Sequence, residues 1–446
     1  MRRIRLLYGL LDRLSARGVV ACLDAALERD RMDPGTLEAY SRSRLEALLD
    51  HCRREVPFYR ERLDRVAGDA RSLAREAFAS IPVLEKREIA AAGERLVARG
   101  GPAAAGRGRA TTVTSGGTTG PPVRLLIDAE AHDAQTAATI RSFLWFGADP
   151  TRRHALLWGP PPEDNSYASF GGRLRGLILR RTLLPTFALD EAGARAHWLR
   201  LSRLRLDFVA GYSSALVRIA AARRGDERCR VRSGVVAAAE PLFDFQRAPL
   251  ERAFGAPVRE RYGCNEHALL AQECDRGGLH VATDRVRLEI VREDGSPAAA
   301  GEVGTVLVTD LDSRLMPIVR YRLGDLAAWR AGSCPCGRPY PLLERVHGRC
   351  RDALRSAAGA LLTPHDFAAG LVGRPVRAFQ LVAREDRRPA EVRLVGEPFA
   401  VESVAERWRA MAGGPLDVRF VGELARSLNG KILPVVDAVP TRGAPA

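Results

Sequence analysis

The sequence has almost no lysine and no long hydrophobic run. Of its 69 basic residues only Lys86 and Lys431 are lysines, and the formal net charge of +15 comes from arginines scattered among acidic residues. Proteins that bind nucleic acid usually gather positive charge on one face or in one tract, so we expect no specific nucleic-acid partner. No stretch approaches the roughly 18 apolar residues that cross a bilayer, and Asp12 and Arg13 interrupt the apolar start. We therefore expect a cytoplasmic protein without a membrane span.

Several common signatures are also missing. The eight cysteines show no regular spacing, which argues against a disulfide framework in so long a chain. The phosphate-loop signature G-x-x-x-x-G-K-[ST] is absent, and "SGGTTG" lacks the spacing of a dinucleotide-binding G-x-G-x-x-G loop. We find no G-x-S-x-G motif and no Ser-His-Asp arrangement of a hydrolase. Any nucleotide chemistry must therefore use a different loop.

The order of apolar patterns predicts the fold class. Residues 1 to about 95 have helical periodicity, including "TLEAYSRSRLEALLDHCRREV". The β-prone runs "RLDFVAGY" and "RSGVVAAAE" are each followed by a helical segment, which predicts a mostly parallel sheet covered by helices. From about residue 284, runs such as "RVRLEIVREDG" and "MPIVRYRLGDLAAWR" predict an antiparallel subdomain. We therefore predict an α/β N-terminal domain over residues 1–347 and a small α+β C-terminal domain over residues 348–446.

The segment "TVTSGGTTGPP" (residues 112–122) is too polar and too flexible for a core strand or helix. A run of Gly, Ser and Thr offers backbone N–H groups and hydroxyls to an anion without bulky side chains in the way. Such a run is also typical of a flexible linker. Composition alone leaves both interpretations open.

Six segments in order give the chain a specific resemblance. "TSGGTTGPP" resembles the T-S-G-[ST]-T-G-x-P phosphate loop of the acyl-adenylate-forming superfamily, and the later matches are "AAAEPL" (237–242), "RYGCNEHAL" (261–269), "YRLGDL" (321–326), "GRCRD" (348–352) and "SLNGKI" (427–432). Within the superfamily, "LEALLDHCRREVPFYRERL", "IPVLEKREI", "AEP" and "CPCGR" resemble the phenylacetate–CoA ligase and capsule-biosynthesis branch. The resemblance makes a linker an unlikely role for residues 112–122.

The resemblance implies the adenylate-forming fold, with a mobile C-terminal domain, and a two-step reaction. A carboxylic acid, by default aromatic or arylacetic, would attack ATP in the presence of Mg²⁺, and the acyl group would then pass to coenzyme A. Transfer to an amine or sugar instead stays open. So does a degenerate scaffold without turnover, because Pro121 occupies a position where many relatives carry lysine. A homodimer is a further possibility.

The same resemblance assigns residue roles. Lys431 would act on the α-phosphate in the first step, and Glu266 would hold Mg²⁺. Tyr262 would lie along the adenine, and Asp325 would accept both ribose hydroxyls. Tyr212 and Ser213 would line the acyl pocket. The full set expected to bind the nucleotide is Thr114, Ser115, Gly116, Gly117, Thr118, Thr119, Gly120, Ala239, Glu240, Pro241, Tyr262, Gly263, Asn265, Asp325 and Arg349.

Two short pairs of metal-binding residue types suggest a zinc site. "ECDRGGLH" contains Cys274 and His280, and "SCPCGR" contains Cys334 and Cys336. Four such ligands form closed tetrahedral sites that stabilise folds and leave no open position for catalysis. Only one residue separates Cys334 from Cys336, which is a closer spacing than is usual for paired zinc ligands. Cys350 is therefore an alternative ligand. The other interpretation is that these cysteines are unconnected thiols.

Overall fold

The computed structural model describes residues 1–66, 68–104, 108–114, 123–159, 169–187, 189–427 and 430–438. The chain forms two compact units. Met1–Thr151 and Arg259–Val346 make up the first, and Arg152–Val258 and His347–Ala446 the second. The predicted boundary between residues 347 and 348 lies beside one of the points where the chain changes unit, and the division into two contiguous domains stays a prediction.

The bounds of the elements follow in chain order. The helices are α1 (Arg2–Ser15), α2 (Val19–Arg29), α3 (Pro34–Glu55), α4 (Pro57–Asp64), α5 (Ala70–Arg75), α6 (Lys86–Ala92), α7 (Gly101–Ala104), α8 (Ala129–Leu144), α9 (Phe170–Ile178), α10 (Glu191–Ser202), α11 (Ser213–Ala221), α12 (Asp244–Phe254), α13 (Pro364–Ala368) and α14 (Glu402–Ala412). The strands are β1 (Ala110–Thr114), β2 (Arg124–Asp128), β3 (His154–Leu157), β4 (Arg181–Leu184), β5 (Arg205–Tyr212), β6 (Arg230–Ala238), β7 (Val258–Cys264), β8 (Ala268–Glu273), β9 (Leu279–Val281), β10 (Val286–Val291), β11 (Gly304–Asp310), β12 (Tyr321–Arg330), β13 (Leu342–Arg349), β14 (Leu354–Arg355), β15 (Leu361–Leu362), β16 (Val376–Ala383), β17 (Pro389–Gly396), β18 (Asp417–Phe420) and β19 (Val435–Asp437).

The first unit combines the predicted N-terminal helices with an antiparallel sheet. Helix α3 begins at Pro34 because the Asp33 side chain caps it, accepting from the Thr36 amide at 3.0 Å, as an N-cap residue does. Its buried face includes Leu45, Leu49 and Cys52, which belong to the main core of this unit. In the sheet, β10, β11, β12, β13, β9, β8 and β7 are neighbours in that order. The antiparallel pairs confirm the predicted change of strand direction.

The second unit contains the predicted parallel sheet. Strands β6, β5, β3 and β4 are neighbours in that order and pair in parallel. Helices α10, α11 and α12 contribute buried residues to the core beside these strands, among them Trp198 and Phe254. Apolar β-prone runs that precede helices thus form the parallel sheet, as the sequence predicted.

The C-terminal residues form the predicted small α+β structure within the second unit. Strands β18, β17, β16 and β19 make a mixed sheet, antiparallel between β16 and β17 and parallel at both outer pairs. Trp408 of α14 is fully buried, and its indole N–H donates to the Phe367 carbonyl at 3.0 Å. Phe243 also packs in this core, with its ring 4.9 Å from that of Phe379.

One predicted strand is shorter than expected, and no membrane helix is found. "MPIVRYRLGDLAAWR" becomes a strand only from Tyr321, because Arg320 takes a left-handed φ of 50° and donates its amide to the Thr309 hydroxyl. Across the ranges given above, no helix has the length and apolar character needed to cross a membrane.

Candidate active site

Two predicted nucleotide-binding residues meet in the first unit. Tyr262 lies in β7 and Asp325 in β12, 63 positions apart in the chain, and the Tyr262 hydroxyl donates to Asp325 Oδ2 at 2.8 Å. The two residues are only 7% and 6% exposed. A hydrogen bond to a carboxylate is stronger than a neutral one, so Tyr262 fixes the orientation of the Asp325 side chain.

The predicted magnesium residue lies in the turn between β7 and β8. Glu266 is 8% exposed, and its neighbour Asn265 donates its side-chain amide to the Thr114 carbonyl at 3.2 Å. Thr114 ends β1, which pairs with β2 as an antiparallel hairpin. Residues 115–122, with the predicted phosphate-binding residues, lie outside the described part of the chain. The bond from Asn265 therefore ties the start of the predicted loop to the turn that carries Glu266.

Gly263 and Cys264 end β7, directly before this turn. An added Cβ at Gly263 would overlap the Ala268 carbonyl oxygen, so the bulged strand pair requires glycine there. Burial and the nearby carboxylates of Glu266 and Asp325 raise the pKa of the Cys264 thiol well above its usual range. Cys264 therefore stays protonated at neutral pH and is a poor nucleophile.

His267 is buried beside the same turn. Its Nδ1 lies 3.2 Å from Asp310 Oδ2, and the ring is 1% exposed. Burial opposes ionisation of Asp310, but the bond with His267 and the charge of Arg285 hold the pKa of that carboxyl below its usual range. The structure thus pairs His267 with Asp310.

Lys431 contacts two predicted residues, Ala239 and Tyr212, in the second unit. Its Nζ donates to the Ala239 carbonyl at 3.2 Å and lies 4.9 Å from the centroid of the Tyr212 ring. The Ser213 hydroxyl donates to the Glu240 carbonyl at 3.2 Å. The arrangement follows from the parallel sheet, because Tyr212 ends β5 and Ala239 follows the end of β6, and the carboxyl ends of parallel strands share one edge.

The Glu240 carboxylate makes contacts that the sequence did not reveal. Oε2 accepts from the Ser214 amide at 2.9 Å, while Oε1 accepts from the Ser214 hydroxyl at 3.0 Å and from the Ile432 amide at 3.1 Å. Burial raises the pKa of Glu240, although the Ser214 bonds and the charge of Lys431 oppose that rise. Ser214 is a site residue that sequence reasoning missed, and its place at the start of α11, directly after a strand, was the available signal.

A residue of the C-terminal sheet, Gln380, holds the segment that carries Lys431. Gln380 of β16 is fully buried, and its side-chain amide donates to the carbonyls of Ala425 and Leu433 at 3.2 and 2.7 Å. Ala425 and Leu433 flank the segment on either side. Arg426 and Ile432 form an antiparallel bridge. Gln380 thus fixes the base of the loop on which Lys431 lies.

Trp158 adds an aromatic contact at the predicted acyl pocket. Its ring lies 4.6 Å from that of Tyr212 at an interplanar angle of 36°. Residues 160–168, shortly after Trp158, lie outside the described ranges. Trp158 and Tyr212 therefore give the predicted pocket an aromatic wall.

The four predicted metal ligands come together in the first unit. Cys274 Sγ lies 3.6 Å from Cys334 Sγ, Cys336 Sγ lies 3.2 Å from His280 Nε2, and all four ligand atoms lie within 4.8 Å of one another. Zinc–sulfur bonds of about 2.3 Å in a tetrahedron separate two sulfurs by about 3.8 Å. The donor set and its spacing therefore fit a zinc ion. Cys350 is not in this group of described residues and lies in the second unit.

The surroundings of the four ligands also fit a metal site. His280 Nδ1 lies 3.2 Å from the Tyr340 carbonyl, which turns Nε2 towards the cysteines, as second-shell bonds do for metal-binding histidines. An added Cβ at Gly278 would come within 2.7 Å of Cys334 Sγ and 3.1 Å of His280 Nε2. Glycine at this position keeps the space between the ligands open.

Comparison with known proteins finds relatives that match most of the chain. No family model matches it. The phenylacetate-coenzyme A ligase of Thermus thermophilus is 28% identical over 384 residues, which cover 81% of this chain and 82% of that protein. Protein CapK of Staphylococcus aureus is 23% identical over 197 residues, 42% of this chain and 40% of its own. The structure of a 2-hydroxyisobutyryl-CoA ligase with R3-HIB-AMP matches with a TM-score of 0.74 at 19% identity, covering 92% of this chain and 91% of that one. The chain has the fold of the acyl-adenylate-forming enzymes, and its sequence is similar to that of a phenylacetate-coenzyme A ligase over most of its length.

The two units of the chain each bring together part of the predicted site. The first unit holds Tyr262 against Asp325 and Asn265 against Thr114. The second holds Lys431 among residues predicted for the nucleotide and the acid. The remaining predicted residues have these places: Pro241 follows Glu240 after β6, and Arg349 ends β13 before a 3-10 turn over Cys350–Asp352. The predicted residues 115–120 lie outside the described ranges.

Proposed function

We propose that this protein activates a carboxylic acid with ATP and Mg²⁺, releasing pyrophosphate, and transfers the acyl group from the acyl adenylate to coenzyme A. The observation that carries the proposal is the position of Lys431, whose ammonium group lies between the Ala239 carbonyl and the Tyr212 ring. The Thermus thermophilus relative, named as a phenylacetate-coenzyme A ligase and 28% identical over 81% of this chain, supports it.

The first step joins two anions, a carboxylate and the α-phosphate of ATP, so it needs positive charge where negative charge develops. A lysine ammonium is a compact point charge on a flexible stem. Contacts of an ammonium group with a carbonyl oxygen and a ring face, as Lys431 makes with Ala239 and Tyr212, can be exchanged for contacts with a carboxylate and a phosphate oxygen. Lys431 is therefore the group that we assign to this step.

Tyr262 and Asp325 are assigned to the nucleoside. A carboxylate has two oxygens with about four lone-pair positions, so the bond that Asp325 accepts from the Tyr262 hydroxyl is compatible with further bonds from a ligand. The ribose hydroxyls are the donors that we expect Asp325 to bind. The Tyr262 ring would then lie along the adenine.

Glu266 is the residue that would hold magnesium. Mg²⁺ is usually bound through one or two carboxylates together with substrate phosphates, and a mostly buried carboxylate next to a tethered loop end fits that pattern. When bound, magnesium would neutralise charge on the phosphate oxygens. Glu266 and Asn265 would orient the ion and the start of the phosphate loop.

Zinc would be structural. Cys274, His280, Cys334 and Cys336 would hold it with four protein ligands, and a closed tetrahedral set leaves no position for a substrate or water. Its contribution would be to stabilise the turn before β9 against the segment before β13.

The aromatic pair of Trp158 and Tyr212 favours a planar acid. Offset or tilted rings attract a further aromatic ring through its face or edge, and the two centroids here are 4.6 Å apart. Together with the relatives named for phenylacetate, this contact supports an aromatic or arylacetic substrate. A cytoplasmic location and a homodimer stay predictions.

The proposal is tested by pyrophosphate release from ATP with phenylacetate, benzoate and a series of fatty acids, each with and without coenzyme A. We expect release with aryl acids that becomes multiple-turnover only with coenzyme A. Release without any effect of coenzyme A would point to an amine or sugar acceptor. No release with any acid, despite normal ATP binding, would indicate a scaffold without turnover and would contradict the proposal.

A further inference from the structure

Glu240 links two parts of the second unit that are far apart in sequence. Its carboxylate binds Ser214 at the start of α11 and the amide of Ile432, 192 positions further on. Residues 430–432, here called the lysine loop, place Lys431 directly beside this contact. The Glu240 side chain therefore faces the loop that carries the proposed catalytic lysine.

The backbone before Glu240 is adapted to the same contact. Ala239 has a φ of +64°, a left-handed conformation that is costly for a residue with a Cβ and that is often retained at functional sites. In this conformation the Ala239 carbonyl accepts from Lys431 Nζ at 3.2 Å. Two consecutive residues, Ala239 and Glu240, thus bind two consecutive residues of the lysine loop.

We propose that Glu240 is a positioning residue that docks the lysine loop for adenylation, with Ser214 holding the carboxylate in place. The proposal rests on the proposed function for the role of Lys431. It assigns to Glu240 a task beyond the expected nucleotide binding, because Ser214 binds both carboxylate oxygens and Ile432 binds one of them.

The contact also suits release of the loop. The bonds from Ser214 would stay when the Ile432 amide leaves, so the carboxylate keeps donors in both arrangements. Transfer to coenzyme A, which we expect to need the lysine withdrawn, should not depend on the bond to Ile432. Glu240 should therefore matter for the first half-reaction and little for the second.

Glu240→Gln is the sharpest variant. A glutamine side chain has one oxygen and one NH₂ group, while all three partners of Glu240 are donors in the wild-type contact. In either orientation of the glutamine amide, its NH₂ group faces at least one of these donors. The shape of the side chain hardly changes. Glu423→Gln is the matched control, because Glu423 lies in the preceding segment, 85% exposed and 3.7 Å from Arg218.

The first experiment compares the two half-reactions. Pyrophosphate release in a single turnover is measured with the acid that the wild type accepts, phenylacetate being tried first, and thioester formation is measured from the synthetic acyl adenylate and coenzyme A. We expect Glu240→Gln to slow adenylation by about tenfold or more, with thioester formation and the Kd for ATP within about twofold of wild type. The control should match wild type in every measurement. Equal losses in both half-reactions, a loss of ATP affinity that accounts for the effect, or no change would each overturn the proposal.

A second experiment does not depend on activity. Amide hydrogen exchange of the peptide that contains Ile432 should be protected in the wild type and faster in Glu240→Ala, while Ser214→Ala should give a smaller increase and Glu423→Ala none. Unchanged exchange in Glu240→Ala would overturn the positioning role even in an active enzyme. If no acid is turned over, the proposed function fails, and the exchange result still decides whether Glu240 docks the loop.

Discussion

Replacing Tyr262 by phenylalanine isolates the bond that orients Asp325. Phenylalanine keeps the ring that would lie along adenine and removes only the hydroxyl, which donates to Asp325 Oδ2 at 2.8 Å in a site where both residues are less than 10% exposed. Hydrogen bonds to charged groups contribute about 1.5–3 kcal/mol. The Kd for ATP should reflect only the lost orientation of Asp325 and not the whole hydrogen bond. We therefore expect the lower end of this energy range, about 1.5 kcal/mol, which is about a tenfold rise in the Kd for ATP.

Titration calorimetry with ATP measures this effect directly. Tyr262→Leu, which removes the ring as well, should weaken ATP binding further, and the difference between the two variants measures the ring contact. Tyr40→Phe serves as a control, because Tyr40 lies in α3 with its ring 5.1 Å from the Arg29 guanidinium and has no assigned role at the site. An unchanged Kd in Tyr262→Phe, with a normal thermal midpoint, would refute the assignment of Asp325 to the ribose.

Three further predictions concern the lysine, the metal and the core. Lys431→Ala should abolish pyrophosphate release, because the ammonium group acts on the negative charge that develops in the first step. The Kd for ATP should stay within about twofold of the wild-type value. Near-normal pyrophosphate release would contradict the assignment. Elemental analysis should find about one zinc ion per wild-type chain. The zinc content should fall clearly in Cys274→Ser and stay unchanged in Cys350→Ser. Well under one zinc ion per wild-type chain would contradict the zinc hypothesis. Asp284→Asn should lower the free energy of unfolding, measured in urea, by about 3–5 kcal/mol. The reason is that Arg141 is fully buried and donates to both Asp284 carboxylate oxygens, at 2.7 and 2.9 Å. A loss below about 1 kcal/mol would contradict this reasoning.

The sequence predicted regular elements well wherever burial imposes a simple pattern. β5 spans Arg205–Tyr212, the segment quoted as "RLDFVAGY", because a strand buried on both faces is apolar almost throughout. The start of β12 could not be predicted, since it is determined by the left-handed backbone of Arg320 and by a side-chain partner in β11. The noncontiguous make-up of the two units is likewise a property of tertiary contacts.

The motifs predicted individual site residues and left their partners undetermined. Asp325 follows from "YRLGDL", but its bond from Tyr262 depends on how β7 and β12 are placed in one sheet. Glu240 was expected to bind the nucleotide because "AAAEPL" (237–242) resembles a nucleotide motif of the superfamily. The direction of its carboxylate depends on the unusual φ of Ala239 and on donors from Ser214 and Ile432, which no local pattern in the sequence specifies.

The position of Lys431 suits a lysine better than the arginine that this chain uses almost everywhere else. Its ammonium group donates to the Ala239 carbonyl and lies over the Tyr212 ring. A guanidinium carries five donors in a rigid fork, whereas an ammonium is a compact point charge on a flexible stem. The proposed two-step reaction needs the cation in the first step and its withdrawal in the second. A flexible point charge, on a loop whose Ile432 amide donates to Glu240, meets both needs.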